Sequence, residues 1–311
     1  MRLALEHLNS LISLVNHFNS DKRCRDFITE QRWGKEVVCP FCGCKHVYVC
    51  GNGDNQFKCK ECHKRFSCLV GTIFENTKLP LQKWFMAMYL ISSHKKGITS
   101  HQLARDIQVT QKTAWFILHK VRTMFSQYDD VALEGDVEID EMYLGGRETN
   151  KHESKKTAKT QGRSTKTKTP IFGMVSRNGE VRAIKVENMQ ASTLVPIIKQ
   201  FVADNAHIYT DELNAYTALD RDGYQHDVIH HGAKEFSRDG ITTNSIEGFW
   251  GHFKRTVFGT YHFVSKAYLQ QYVNEAVYRY NTRKDSESQR LADMFRRVVS
   301  RVRYKDVRMV A

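Results

Sequence analysis

The chain has 311 residues, with 47 lysines and arginines against 34 aspartates and glutamates, for a formal net charge of +13. That length has room for two or three domains with separate cores, and the positive charge favours attraction to a polyanion such as nucleic acid. No run of about 18 apolar residues occurs, so a membrane partner is not expected.

The first eighteen residues place Leu5, Leu8, Ile12 and Val15 at helical spacing, while Glu6, His7, Asn9 and Asn16 interrupt any continuous signal-peptide core. An amphipathic helix and a cytosolic protein are expected from this segment.

All eight cysteines lie between Cys24 and Cys68. In a basic chain without a signal peptide that grouping points to metal rather than disulfides. Cys39 and Cys42 form one CxxC, and after sixteen residues Cys59 and Cys62 form a second. Two such knuckles on a short hairpin can set four thiolates tetrahedrally around zinc, which then supplies folding free energy that so short a segment cannot draw from a core. Two strands joined at Gly51 to Gly53 are expected, with Phe57 and Phe66 covering the site. Cys24, Cys44, Cys50 and Cys68 read as small buried hydrophobes, and Cys44 is the one competing ligand. The ribbon is either purely structural or touches DNA through Lys58, Lys60, Lys64 and Arg65.

Residues 81 to 93 carry an amphipathic helical pattern that Gly97 ends. Thr99 with Gln102 forms a capping box for a next helix holding Leu103 and Ile107, and Thr110 caps another bearing Ala114, Ile117, Leu118 and Val121. Two short helices around a tight turn describe a helix-turn-helix. Gln111, Lys112 and Thr113 would then stand where base edges are read, with Lys120 and Arg122 toward phosphates. A plain helical pair with a solvated basic face is the competing reading.

Residues 147 to 169 hold eight lysines and arginines against two glutamates and no aliphatic side chain larger than alanine. They cannot bury a core and are expected to form a basic loop open to DNA backbone. Two strands then flank Asn178-Gly179, a strong hairpin signal. A helical stretch and another strand follow, so a mixed sheet flanked by helices is expected.

Three acids stand in this half. Asp140 in VEIDEMYLGG and Asp211 in HIYTDELNAY each end an apolar, strand-like run, and Glu247 in TTNSIEGFWGHFKR opens a helical pattern, with Lys254 seven positions on. At about 100° per residue, Asn244, Glu247, Gly251 and Lys254 share one face, and Ile246, Phe249 and Phe253 point to the other. Clustered carboxylates bind magnesium or manganese, whose open positions accept phosphate and water. Gly248 and Gly251 fit either close approach of DNA backbone or plain helix packing. Glu138, Glu141 and Glu212 read as exposed, noncatalytic neighbours. His230, His231 and His262 are left without a role, and Trp84, Trp115 and Trp250 read as core. Leu291, Met294, Phe295 and Val298 mark one more amphipathic helix in the tail.

VEIDEMYLGG, YTDELNAY, TTNSIEGFWGHFKR, GTYHFVSKAYLQQY and YRYNTR, behind the CPFC and CKEC knuckles, together resemble bacterial insertion-sequence transposases of the zinc-ribbon kind. The likeness runs from Cys39 to Arg283. It implies an RNase H-like DDE catalytic domain over 131–284; with the residue patterns above, the expected α/β chain has a helical segment over 1–35, a zinc ribbon over 36–76, a helix-turn-helix over 77–130, that catalytic domain, and a helical tail over 285–311. Lys254 stands where that superfamily's basic residue follows its glutamate.

The resemblance implies two Mg²⁺ or Mn²⁺ ions bridged by Asp140 and completed by Asp211 and Glu247. A water cuts the element's end and the freed 3′-hydroxyl attacks target DNA. In similar transposases an asparagine sometimes takes the third catalytic position. Asn244 could fill it here, but Glu247 is preferred because a charged oxygen binds magnesium better. DNA, both element ends and target, is the implied partner, along with further copies of the chain in the cytoplasm at the nucleoid. A DNA-binding regulator with an inactive nuclease-like domain, and a nuclease that cuts without joining, are the alternatives.

Overall fold

The computed structural model describes residues 5, 7–51, 55–126, 131–145, 151–158, 164–177, 179–221, 223–230, 237 and 242–307. Its elements in chain order are α1 (Leu11–His17), α2 (Asp21–Trp33), β1 (Val47–Cys50), β2 (Gln56–Cys59), β3 (Arg65–Ser67), α3 (Leu81–Ser93), α4 (Ser100–Asp106), α5 (Gln111–Met124), β4 (Asp136–Gly145), β5 (Lys168–Ser176), β6 (Val181–Lys185), α6 (Ala191–Phe201), β7 (His207–Thr210), α7 (Ala218–Arg221), β8 (Gln225–Val228), α8 (Asn244–Thr256), α9 (Leu269–Asn281), α10 (Glu287–Arg296) and α11 (Tyr304–Val307). They form two compact units, Met1–Gln127 with Lys284–Ala311, and Tyr128–Arg283. No helix among the described residues is long and apolar enough to cross a membrane.

The first unit is built on α3, where most side chains from Leu81 to Ser92 are buried. Phe85 of α3 packs edge-on against Phe18 at 4.7 Å and Phe295 at 4.7 Å, and Phe27 against Phe295 at 4.8 Å. The tail is therefore part of this core, with Leu291, Met294, Phe295 and Val298 all buried as the pattern predicts. The N-terminal helix is shorter than expected. Ser10 and Ser13 form a capping box that starts α1 at Leu11, so Leu14 and Phe18 turn inward and Ile12 is left 74% exposed. Leu5 and Leu8 are buried ahead of the helix.

In the second unit the sheet order is β6-β5-β4-β7-β8. β4, β5 and β6 run antiparallel to their neighbours, while β7 joins β4 in parallel and β8 joins β7 in parallel. Three antiparallel strands followed by two parallel ones, with the first strand in the middle, is the RNase H-like arrangement. The expected hairpin is present as β5 and β6, with Ser176 and Glu180 hydrogen-bonded across its end; Asn178 lies outside the described residues, as do Gly53 and parts of the 147–169 stretch.

Alternation along the strands splits the core in two. Val137, Ile139, Phe172, Met174 and Ile208 pack with Leu194 and Ile198 of α6 on one face. Met142, Leu144, Ile171 and Val175 pack with Ile246, Phe249, Trp250 and Phe253 of α8 and with Val273 and Val277 of α9 on the other.

Candidate active site and metal centres

β4 does not stop at Asp140 but runs on to Gly145. Its parallel register with β7 sets Glu138 beside Tyr209, so two residues further on Asp140 comes level with Asp211, the first residue past β7. Carboxylate oxygens of Asp140, Glu141 and Asp211 lie within 4.8 Å of one another. Burial first, then the charges of Glu141, Asp211 and Glu247, push the Asp140 carboxyl up to about 8. Asp211 accepts a hydrogen bond from the Leu213 amide at 3.0 Å, which turns the chain away from the strand.

Glu141 faces the α6 side of the sheet, where the buried Tyr216 hydroxyl donates to it at 3.0 Å. In the sequence Glu141 reads only as a neighbour of Asp140. The strand register needed to place it beside Asp211 is not visible in the sequence.

Glu138, expected to be exposed, is fully buried. One carboxylate oxygen accepts from the amides of Ser245 at 2.7 Å and Ile246 at 3.1 Å, and the other from the Ser245 hydroxyl at 3.1 Å and Arg177 Nε at 3.0 Å. Two orphan amides at the start of α8 are thereby satisfied by a charged side chain from β4, placed favourably at the positive end of the helix. This contact fixes where α8 begins relative to Asp140.

α8 buries Ile246, Phe249, Trp250 and Phe253 and exposes Asn244, Glu247 and Lys254, as the helical spacing predicts. Glu247 accepts from the Thr243 hydroxyl at 3.1 Å. It lies outside the tight Asp140, Glu141 and Asp211 cluster, yet near enough to act on Asp140's ionisation. An added Cβ at Gly248 would meet nothing within 4 Å, so internal packing gives no reason for that glycine; at Gly251 it would meet only the Arg255 side chain, from 3.4 Å.

The four thiols of Cys39, Cys42, Cys59 and Cys62 lie within 4.8 Å of one another. Cys39 and Cys42 lie ahead of β1, Cys59 ends β2 and Cys62 lies in the turn before β3, with Phe57 and Phe66 buried under Trp33 of α2 at 5.6 and 6.0 Å. Amide N–H groups, Cys62's first and then Glu61's, draw the Cys59 thiol down to about 6, whereas burial and the neighbouring thiols push Cys42 up to about 12. This donor set fits a structural zinc ion. Cys24 and Cys68 are buried as expected, whereas Cys44 and Cys50 are only half-buried, and Cys44 sits with His46 and Glu61. Lys60, Lys64 and Arg65 are exposed and Lys58 partly so. Lys64 lies over the Phe41 ring at 4.9 Å.

α4 and α5 form the expected helix pair. Thr99 and Thr110 cap them through the amides of Gln102 and Thr113. The Thr99 box is one-sided, because the Gln102 side chain donates to Asp106 instead. Gln111 donates to the Ser100 hydroxyl and Thr113 meets the Thr110 hydroxyl, leaving Lys112 the most exposed of the three.

Lys120 and Arg122 are not at the surface. The second half of α5 is enclosed, with Lys120 4% and Arg122 2% exposed. Lys120 donates to the Ile73 carbonyl at 2.7 Å and lies against the Phe116 and Trp84 rings. Of the histidines, His230 pairs with Glu212 at 3.5 Å, His262 is exposed, and His231 lies outside the described residues. Trp84 and Trp250 are core residues, and Trp115 is half-buried.

Residues 132–281 match the family described as ISXO2-like transposase domain, and residues 19–65 match the transposase zinc-ribbon domain. A protein of the transposable element ISH50 from Halobacterium salinarum is 29% identical over 245 residues, 75% of this chain and 82% of the relative. A transposase-like protein of Haemophilus influenzae is 31% identical over 102 residues, 33% of this chain and 81% of that one. Among solved structures, a pre-cleavage Mos1 transpososome covers 72% of this chain and 80% of its own at 14% identity and TM-score 0.28. A simian T-cell lymphotropic virus intasome covers 63% and 64% at 13% identity and TM-score 0.27. The fold assignment rests on the strand order, to which scores of this size add nothing.

Proposed function

From its membership of the zinc-ribbon insertion-sequence transposases, we propose that this chain binds the terminal inverted repeats of its element, cuts at their ends and joins the freed 3′-hydroxyls to target DNA. The observation that carries the reading is the meeting of Asp140, in the middle of β4, with Asp211, just past the end of the parallel strand β7, beside a helix that presents Glu247.

That cluster fits divalent cations. Burial first, and then the neighbouring carboxylates, oppose ionisation of Asp140, and a hard cation offsets both. Asp140, Asp211 and Glu247 would hold two Mg²⁺ or Mn²⁺ ions, which supply Lewis-acid stabilisation of phosphoryl transfer when bound. Glu141 is a further carboxylate at the same place.

The remaining work falls to positioning. Lys254, about two helical turns beyond Glu247 on the same face, holds a phosphate near the cut, and Asn244 at the helix start contacts DNA. Lys112, with Gln111 and Thr113, reads the element's end, and Lys58, Lys60, Lys64 and Arg65 of the ribbon meet its backbone. Two ends have to be processed together, so the active form is an assembly of several copies, acting where the cell's DNA is.

The test incubates the full chain with a duplex bearing its element's end and with a target plasmid in Mg²⁺. Joined products support the reading, cut but unjoined products indicate a nuclease, and intact DNA indicates a regulator. Asp211→Ala is expected to abolish chemistry while leaving end binding nearly unchanged.

A further inference from the structure

Beyond α8 the helix does not end at Thr256 but loosens into a π-helical turn, Val257–Tyr261, after which His262 takes a positive φ of 60°. Such turns mark functional segments more often than ordinary helix does. This one is pinned from behind: the Tyr261 hydroxyl donates to both oxygens of Glu275 on α9 at 3.0 and 3.1 Å, and Arg279 holds the same carboxylate at 2.7 Å. Tyr261 also packs edge-on against Tyr272 at 4.8 Å. The turn is therefore a braced platform.

What it presents is two phenylalanines. Phe258 is 50% and Phe263 72% exposed, among the largest apolar exposures of the second unit. Phe258 follows Glu247 by eleven residues, about three turns, and so continues the stripe of Asn244, Glu247, Gly251 and Lys254 about 16 Å along the helix. Exposed rings of this size favour an apolar partner.

The surrounding charge says which. Between Gly248 and Asn274 the sequence holds no aspartate or glutamate, and Lys254, Arg255 and Lys266 are exposed. Gly248 and Gly259 leave open space where a side chain would otherwise stand. Flat aromatic faces beside exposed cations, on a segment with no acid of its own, suit nucleic acid whose bases are out of the stack, because a ring stacks on any base and the cations take the phosphates.

We propose that Phe258 and Phe263 form a stacking platform for unpaired or extruded bases about 16 Å beyond Glu247, so that the protein prefers DNA opened near the cut over a fully paired duplex. The inference rests on the proposed transposase function, since it places the reacting phosphate at Glu247 and Lys254. Its substrate class is DNA with a locally melted end.

The experiment uses the full chain with Ca²⁺ in place of Mg²⁺, to block chemistry. The probes are a paired duplex and a forked duplex of the same sequence whose single-stranded arm carries 2-aminopurine. Wild type is expected to bind the fork about tenfold more tightly than the duplex and to quench the 2-aminopurine. The double substitution Phe258→Ala, Phe263→Ala is expected to lose both effects while holding the duplex within about twofold, and Phe258→Trp to keep the quenching. Equal wild-type affinity for the two probes overturns the proposal. So does an equal loss on both probes, or a change in oligomeric state by light scattering, which would make the rings an interface between copies. A parallel Mg²⁺ assay separates the two readings: joining without fork preference sinks the platform alone, and fork preference without cutting sinks the proposed chemistry alone.

Discussion

Gly173 of β5 sits opposite Asp140 of β4, and the six-membered ring of Trp250 from α8 fills the place where its side chain would be. A Cβ there would fall well inside contact with the Trp250 ring and 3.1 Å from Ile246 Cδ1. The missing side chain lets α8 lie close on the sheet next to Asp140, and α8 carries Glu247. Gly173→Ala is expected to push the helix outward, costing about 1–3 kcal/mol in urea unfolding. Strand joining should fall by more than stability explains, because a shift of about 1 Å at a catalytic group costs about a hundredfold. Unchanged joining in a folded variant would show that α8 need not sit so close.

Glu138 offers a second route to the same helix. Its buried carboxylate takes four hydrogen bonds from the start of α8 and from Arg177. Glu138→Ala leaves Arg177 Nε and two helix amides without their acceptor and is expected to destabilise by about 3 kcal/mol. Glu138→Gln, which keeps one acceptor oxygen, should lose less. Chemical denaturation of the three proteins gives the order; equal stability would remove Glu138 as the anchor.

These two residues show where sequence reading reached its limit. The α8 stripe was legible because helical spacing fixes which side chains share a face, and the Cys39–Cys62 knuckles because metal ligation fixes their spacing. Glu138 looked like a surface acid, since nothing local reveals that its partners lie 107 and 108 positions away. Gly173 and Glu141 depend on the pairing of β4 with β5 and with β7, and register between strands distant in sequence is set by the assembled core. Lys120 and Arg122 differ from expectation for the same reason: the sequence shows their charge but not their burial, which for Lys120 comes from Trp84 of α3 and the loop at Ile73.

The ribbon should hold one zinc per chain, measurable by elemental analysis. Cys62→Ser is expected to lose it, whereas Cys24→Ser, Cys68→Ser and Cys44→Ala should keep it. Trp33 rests on Phe57 and Phe66, so stripping the metal with a chelator should change its fluorescence as the ribbon unfolds. The change should vanish in Trp33→Phe. A stoichiometry of two would instead enlist Cys44, His46 and Glu61, which lie within ligand distance of one another.

Asp140 gives the pH dependence a sign. Its carboxyl rises from an ordinary 3.8 to about 8 in the folded chain, so the folded state holds the proton more tightly than the unfolded one. The resulting stability is fully present below about 4 and is lost as pH rises through about 8. Zinc-loaded protein without Mg²⁺ should therefore melt at lower temperature at pH 9 than at pH 6, and Asp140→Asn should flatten that difference. Binding of Mg²⁺ displaces the proton, so its affinity should climb by about tenfold per pH unit up to about 8. A metal affinity independent of pH over that range would mean that Asp140 is already ionised.

Lys112 and Lys120 lie on the same helix with opposite exposures, and the contrast tests whether α5 meets DNA. Lys112 is exposed at the first turn, where helix-turn-helix proteins approach the groove. Lys112→Ala should weaken binding across sequences and lower the slope of log affinity against log salt by about 1, as loss of one phosphate contact does. Lys120 is enclosed between Trp84, Phe116 and the Ile73 carbonyl, and burial draws its ammonium down to about 8. Lys120→Met, which keeps the stem's volume and drops the charge, should leave the salt slope unchanged. Its effect should appear in thermal stability instead, through the unsatisfied carbonyl. If Lys120→Met lowers the slope as Lys112→Ala does, α5 must open to expose its buried half when it binds.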